Sequence, residues 1–262
     1  MPVVLLTGAA GGVGRFLRDG LPGLGWQLRL LDRVPIPDTP EAIVSDLRDE
    51  APLAAAVQGV DAIVHLAGIP VEAPFDDILG SNILGTQRLF AAAQRAGVSR
   101  IVYASSNHAV GFEPVSDPDH PARLDTPPRP DGYYGLSKVF GEALGRLFHD
   151  RFGMDVVCIR VGSMFEQPTS WRQLATWLSP DDGVHLFDVC LGAPSPGYVV
   201  TFGVSANTRA WYDVAPARAL GYEPKDDSER FAAEVEAGPP DPEVNSRLLG
   251  GHFAEVPLGK HM

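Results

Sequence analysis

Residues 3–14 hold the feature that most limits the fold. Val3-Val4-Leu5-Leu6 is an unbroken apolar run, the pattern of a strand buried on both faces of a parallel sheet. Thr7-Gly8-Ala9-Ala10-Gly11-Gly12-Val13-Gly14 follows, and then Val13, Phe16, Leu17 and Leu21 at helical spacing. Gly8, Gly11 and Gly14 thus stand between a strand and a helix. Glycines there let backbone approach a pyrophosphate, and the helix N-terminus offers it free N–H groups. A second apolar strand, 28–31, ends on Asp32. A carboxylate at that place accepts hydrogen bonds from an adenosine ribose and repels a 2′-phosphate, which predicts NAD in preference to NADP. Arg33 beside it is a residue type that serves a 2′-phosphate, so strictness for NAD stays open.

The same texture continues. Helical spacing over 51–57, 75–96 and 132–152 alternates with apolar strands at 62–66, 101–104 and 156–160. Strands alternating with helices predict βαβ units and an α/β fold, a doubly wound parallel sheet of Rossmann type. Residues 112–131 are rich in Pro and Asp and lack periodicity, which predicts a long functional loop. Past 160, short helical patterns (171–178, 183–191, 228–236) and one strand (198–202) lie among Pro- and Gly-rich turns. That stretch is small for a second domain. The expectation is one Rossmann-type domain over 1–262, with an NAD-binding core over roughly 1–162, and with 163–262 mainly a small C-terminal substrate-binding cap and C-terminal elements.

Bulk composition excludes several classes. The net charge of −12 argues against nucleic acid and against an anionic membrane surface, both of which need clustered Lys and Arg. Cys158 and Cys190 form no CxxC and have no His at zinc-ligand spacing, so no metal site is expected. The chain starts directly on a strand and has no apolar run of bilayer length, so the expected location is cytoplasmic.

Chemistry enters with Tyr134 and Lys138. Four residues apart at the start of a helix, they share one face. A free phenol has a pKa near 10 and is a poor base, but a neighbouring ammonium together with the positive nicotinamide of NAD⁺ favours its phenolate. Such a phenolate can take a hydroxyl proton as hydride leaves the same carbon. The pair follows the fourth strand, which ends on Ser105 and Ser106. Ser106 can hydrogen-bond the reacting oxygen, whereas Ser105 reads as a structural residue of the strand end. His65, at an apolar strand end, also reads as structural.

Taken together, Gly8/Gly11/Gly14, Asp32, Ser106, Tyr134 and Lys138 resemble the short-chain dehydrogenase/reductase superfamily in its extended branch. A narrower resemblance, to the uronate dehydrogenase family, runs through 64–69, Ala104-Ser105-Ser106-Asn107-His108, Arg129-Pro130-Asp131-Gly132, Tyr134-Gly135-Leu136-Ser137-Lys138, 176–179 and 203–207. It implies oxidation of the C1 hydroxyl of cyclic glucuronate or galacturonate to an aldaro-lactone, with NAD as acceptor. In this resemblance Ser106, Asn107, His108, Tyr134 and Ser163 line the sugar, and Arg172 pairs with the uronate carboxylate. Gly12, Val13, Leu66, Ala67, Gly68 and Val161 join the glycines, Asp32, Arg33, Tyr134 and Lys138 around the cofactor. Asn82 supports the cofactor loop, and Asp46 and Leu47 contact adenine, although Asp46 can equally cap the next helix. The family often has Ser where this chain has Pro70, which offers no side-chain hydrogen bond to the sugar.

Two readings compete. A nucleotide-sugar epimerase or dehydratase shares the glycine turn and the Tyr/Lys pair. Dehydratases, however, need an acid-base pair where this chain has Asn107 and His108, and residues 161–262 are short for a nucleotide-holding domain. A non-catalytic NAD-sensing protein has no reason to keep Ser106, Tyr134 and Lys138. The superfamily often pairs through helices equivalent to 75–96 and 132–152, which implies a homo-oligomer.

Overall fold

The computed structural model describes every residue except 38, 116–118, 120, 126, 239–246 and 262. Nine strands occur among the described residues: β1 (Val3–Thr7), β2 (Gln27–Asp32), β3 (Ile43–Val44), β4 (Ala62–His65), β5 (Arg100–Ser106), β6 (Asp155–Val161), β7 (Ser163–Met164), β8 (Trp177–Leu178) and β9 (Tyr198–Gly203). Seven form one sheet in the order β3-β2-β1-β4-β5-β6-β9, every neighbouring pair parallel. The order reverses direction at β1, so a crevice opens above its carboxyl end, where doubly wound sheets bind ligands.

Alternation along each strand builds the two cores. Val4, Leu6, Val64, Val102, Val157 and Ile159 point to one face. There they meet Phe16 and Leu17 of α1 (Gly12–Gly20), and Leu186, Phe187 and Cys190 of a later helix, Pro180–Gly192. Leu5, Ile63, Ile101, Tyr103, Val156 and Cys158 point to the other face. Their partners are Leu53 of α2 (Glu50–Ala56), Leu89 and Phe90 of the helix Gly85–Arg95, and Leu144 and Phe148 of the helix Tyr133–Phe152. Period-2 side-chain alternation feeds both layers, as a doubly covered sheet requires.

The remaining helices complete the labels: α3 (Phe75–Ile78), α4 (Gly85–Arg95), α5 (Tyr133–Phe152), α6 (Trp171–Thr176), α7 (Pro180–Gly192), α8 (Ala215–Ala219) and α9 (Ala232–Ala237). Two expectations change. The helix expected over 75–96 is broken by a π turn, Leu79–Leu84, between α3 and α4. Gly80 and Gly85 weaken regular winding there, and π turns gather at functional sites. The helix expected over 171–178 stops at Thr176, and Trp177 and Leu178 instead pair with Ser163 and Met164. Residues 163–262 also contribute to the body of the fold. β9 is the seventh strand of the sheet and α7 packs against α1.

Candidate active site

The glycine turn contains two kinds of glycine. Gly8 has φ +73°, and a Cβ there would lie 2.6 Å from the Ala67 nitrogen. A Cβ on Gly14 would lie 2.5 Å from the Gly8 carbonyl. These two are required by the fold itself. A Cβ on Gly12, in contrast, would meet no protein atom within 4 Å, and Gly11 is limited only by the Gly8 carbonyl at 3.3 Å. Gly11 and Gly12 are exposed beside the partly exposed Val13 at the start of α1. The turn therefore has room on its outer side that protein does not use, a cradle suited to a diphosphate.

Asp32 ends β2 beside this cradle. Its carboxylate accepts from the Ala10 N–H at 2.9 Å and the Val34 N–H at 3.2 Å. Arg33 is exposed next to it. Asp46 follows β3 and is gripped by Arg48 through Nε and Nη2, each at 2.9 Å, which holds its carboxyl below the usual range. It does not cap α2, whose N-cap is Asp49. Leu47 is buried beneath Gly85.

Leu66, Ala67 and Gly68 turn away from the end of β4 over Gly8. Asn82, on the π turn, holds the next residue: its Oδ1 accepts from Ile69 N at 2.8 Å and its Nδ2 donates to Ile69 O at 3.0 Å. The same Nδ2 donates to Ser137 Oγ on α5 at 3.1 Å, tying this loop to the helix that carries Tyr134. Pro70, exposed on this loop, has no side-chain group to offer.

Ser106, Tyr134 and Lys138 come together at the carboxyl end of β5. Ser106 Oγ accepts from His108 N and from the Asn107 amide nitrogen, each at 3.2 Å. Its own proton is then free to point at the Tyr134 phenol, its hydrogen-bond partner. Lys138 Nζ donates to the Ala104 carbonyl at 2.8 Å and lies 5.4 Å from the Tyr134 ring centre. In the protein alone, burial pushes the Tyr134 phenol up to about 12, the Ser106 bond opposes that, and the charge of Asp131 adds to it. Burial likewise brings Lys138 down to about 8, against the charge of Glu142. Desolvation is the largest cause at both groups in the protein alone.

The other wall is assembled from distant segments. The Asn107 amide oxygen accepts from Tyr212 Oη at 3.3 Å and from Arg172, and its nitrogen also reaches the Val161 carbonyl at 3.2 Å. Arg172 Nε and Nη2 both donate to the Leu249 carbonyl, at 3.1 and 2.8 Å. One edge of its guanidinium is therefore engaged within the protein. Ser163 Oγ sits 2.9 Å from Thr176 Oγ1. His108 Nδ1 is 2.6 Å from Asp131 Oδ2, and Phe253 stacks on the His108 ring at 3.9 Å. Asp131, Tyr212, Leu249 and Phe253 carry no sequence signal for a site, since only the folded chain brings them there.

Beneath the site, Ser105 Oγ donates to Glu142 at 2.6 Å, and Arg160 grips the same carboxylate at 2.8 and 2.9 Å. His65 is buried between Thr7 Oγ1 (2.8 Å) and Thr86 Oγ1 (3.0 Å). Both Ser105 and His65 are structural, as expected.

Residues 4–168 match the model of the NAD dependent epimerase/dehydratase family. The uronate dehydrogenase of Pseudomonas putida is 44% identical over 96% of this chain and 95% of its own. A Haloferax volcanii protein described as an NAD-dependent glucose-6-phosphate dehydrogenase is 43% identical over 89% of this chain and 97% of its own. The crystal structure of a tyrosine-to-alanine mutant of uronate dehydrogenase from Agrobacterium tumefaciens complexed with NAD superposes with a TM-score of 0.91, at 41% identity, over 98% of each chain. The likeness runs the full length of the fold rather than the cofactor half alone, and the chain belongs to the NAD dependent epimerase/dehydratase family, in the branch that holds the uronate dehydrogenases.

Proposed function

We propose that this chain is an NAD-dependent uronate dehydrogenase that oxidises the C1 hydroxyl of cyclic glucuronate or galacturonate to an aldaro-lactone. The observation that carries the reading is the buried Ser106–Tyr134–Lys138 group facing a wall that ends in a guanidinium, Arg172. Sugar dehydrogenases of equal identity act on different sugars, so the wall decides the substrate. A single guanidinium with one edge already held by Leu249 suits one carboxylate.

NAD fits the residues present. Gly8, Gly11, Gly12, Val13 and Gly14 would hold its diphosphate, and Asp32 its adenosine ribose, with Arg33, Asp46 and Leu47 toward the adenine. Leu66, Ala67, Gly68 and Val161 would border the nicotinamide half, with Asn82 behind them. When bound, the oxidised cofactor supplies a hydride acceptor and a positive charge. Tyr134 is neutral in the protein alone, so its base form depends on added positive charge beside it. Tyr134 Oη then takes the C1 hydroxyl proton while Ser106 Oγ donates to the same oxygen. Lys138 holds positive charge under the phenol. Asn107, His108 and Ser163 orient the ring hydroxyls, and loss of proton and hydride from C1–OH leaves the lactone carbonyl.

No described helix is long and apolar enough to cross a membrane. Two free, buried cysteines accord with a reducing cytoplasm. Leu136 and Leu147, on one side of α5, are exposed, which supports pairing of two copies through this face, to be checked by light scattering.

The deciding assay mixes protein, NAD⁺ and each uronate and follows NADH absorbance. Absorbance should rise with at least one uronate. Silence with both, together with turnover of a sugar phosphate or a nucleotide sugar, overturns the reading.

A further inference from the structure

Glu72 has no place in the chemistry above, yet it is among the most deeply buried carboxylates, 2% exposed. No Lys, Arg or His among the described residues pairs with it. Its partners are backbone. Oε2 accepts from the Tyr134 N–H at 3.0 Å, and Oε1 accepts from the Gly259 N–H at 2.8 Å. The first bond spans 62 residues of sequence and the second 187.

The Tyr134 N–H belongs to the first turn of α5, where backbone donors lack helical partners. The residue that would ordinarily satisfy them, Gly132 at the N-cap, has no side chain to do so. Its φ of −169° is extended and needs no glycine. What needs a glycine is space, because a Cβ on Gly132 would lie 2.4 Å from Glu72 Oε2. The N-cap is left empty so that a carboxylate from the loop after β4 can reach in. A carboxylate is the group best suited to that end of the helix dipole.

The Gly259 bond reaches the stretch that closes the substrate wall. In that stretch Leu249 holds Arg172, and Phe253 stacks on His108. Phe253, Ile69 and Tyr133 pack with Ala73, Ile78 and Tyr134 in one small apolar cluster around Glu72's neighbours. We infer that Glu72 is a positioning residue that joins two parts of the site: it fixes the helix turn carrying Tyr134 and, through Gly259, latches the 247–260 stretch over the sugar. The inference rests on the uronate dehydrogenase reading only for its kinetic readouts.

The two bonds can be cut separately. A chain ending at Leu258 loses the Gly259 bond and keeps the Tyr134 bond. It should raise KM for uronate with kcat and KM for NAD⁺ unchanged within error, and speed amide exchange over 247–258. Glu72→Ala loses both bonds. It should also lower kcat, at least about tenfold, since small displacements of a reacting group cost that much, and speed exchange at the first turn of α5. Glu72→Gln keeps one carbonyl oxygen for two donors and should fall between. If Glu72→Ala does not fold, the Leu258 chain and Glu72→Gln decide the matter. Wild-type kcat and uronate KM in Glu72→Gln and the Leu258 chain, with unchanged exchange, overturn the proposal. Amide exchange needs no substrate, so failure of the latch is distinguishable from failure of the uronate assignment.

Discussion

The cofactor cradle and the substrate wall face each other across Tyr134 but are built in opposite ways. The cradle is local. Eight consecutive residues, 7–14, form most of it, and its groups are backbone N–H and empty space. The wall is collective. Its groups come from the turn after β5, the residue pair before α5, α6, the 207–214 stretch and the 247–255 stretch, and they hold one another: Asn107 with Tyr212 and Arg172, Arg172 with the Leu249 carbonyl, His108 with Asp131 and Phe253. A cradle of backbone tolerates little change in residue size. A wall of mutually bonded side chains tolerates little change in any one partner. The first is suited to a ligand shared by many proteins, the second to one sugar.

Four experiments sharpen that contrast. Tyr134→Phe, at the junction, should have the largest effect. Turnover should drop by about 10²–10⁴-fold, the usual weight of a general base, while NAD⁺ binding by calorimetry stays near wild type; wild-type turnover would remove Tyr134 from the chemistry. Arg172→Ala, on the wall, should raise KM for uronate by about 10- to 100-fold, the worth of roughly 1.5–3 kcal/mol of charged hydrogen bonding. KM for NAD⁺ should not move. If uronate KM holds, another group carries the carboxylate.

Within the cradle, Gly12→Ala and Gly14→Ala should part company. Gly12→Ala meets no protein atom, so its Tm should stay put while KM for NAD⁺ rises. Gly14→Ala forces a Cβ against the Gly8 carbonyl and should lose stability, roughly 1–3 kcal/mol for an overpacked position. Equal Tm losses in the two variants would contradict the division of the glycines into two kinds.

The fourth experiment concerns pH. Burial pulls His65 down from 6.5 to about 3, with the charge of Lys138 adding. The unfolded chain therefore binds a proton below pH 6.5 that the native protein takes up only near pH 3. Stability contributed by neutral His65 is present above 6.5 and is lost as pH falls toward 3, at about 1.4 kcal/mol per unit. Urea unfolding between pH 6.5 and 4.5 should show a shallower slope in His65→Asn. Identical slopes would mean that His65 is not neutral in the native state.

How much of this was legible beforehand follows the same division. The strand, the glycine turn and Asp32 lie within thirty residues, and each rests on a local rule of backbone geometry, so sequence alone reaches them. Tyr134, Lys138 and Ser106 are legible because helical spacing and a strand end locate them. Arg172 came from resemblance alone: nothing in its neighbours marks it. Glu72, Asp131, Tyr212 and Phe253 were missed as site residues because their partners lie far along the chain, and a pairwise contact across that distance leaves no periodicity. The place of β9 was not legible for a related reason. The strand at 198–202 was visible, but its membership in the main sheet depends on pairing with β6, which no local pattern encodes.

The π turn at Leu79–Leu84 has a consequence for the helix around it. An α-helix advances about 100° per residue, so one residue beyond the regular count rotates everything before it by that angle relative to everything after. The wide turn thus acts as a phase shifter. Downstream, Leu89 and Phe90 address the sheet; upstream, Phe75 and Ile78 address Tyr133 and Tyr134. A straight helix would face both ends the same way and give up one of those surfaces. Removing a single residue from the turn would yield a more regular helix whose leading end no longer aims at the site.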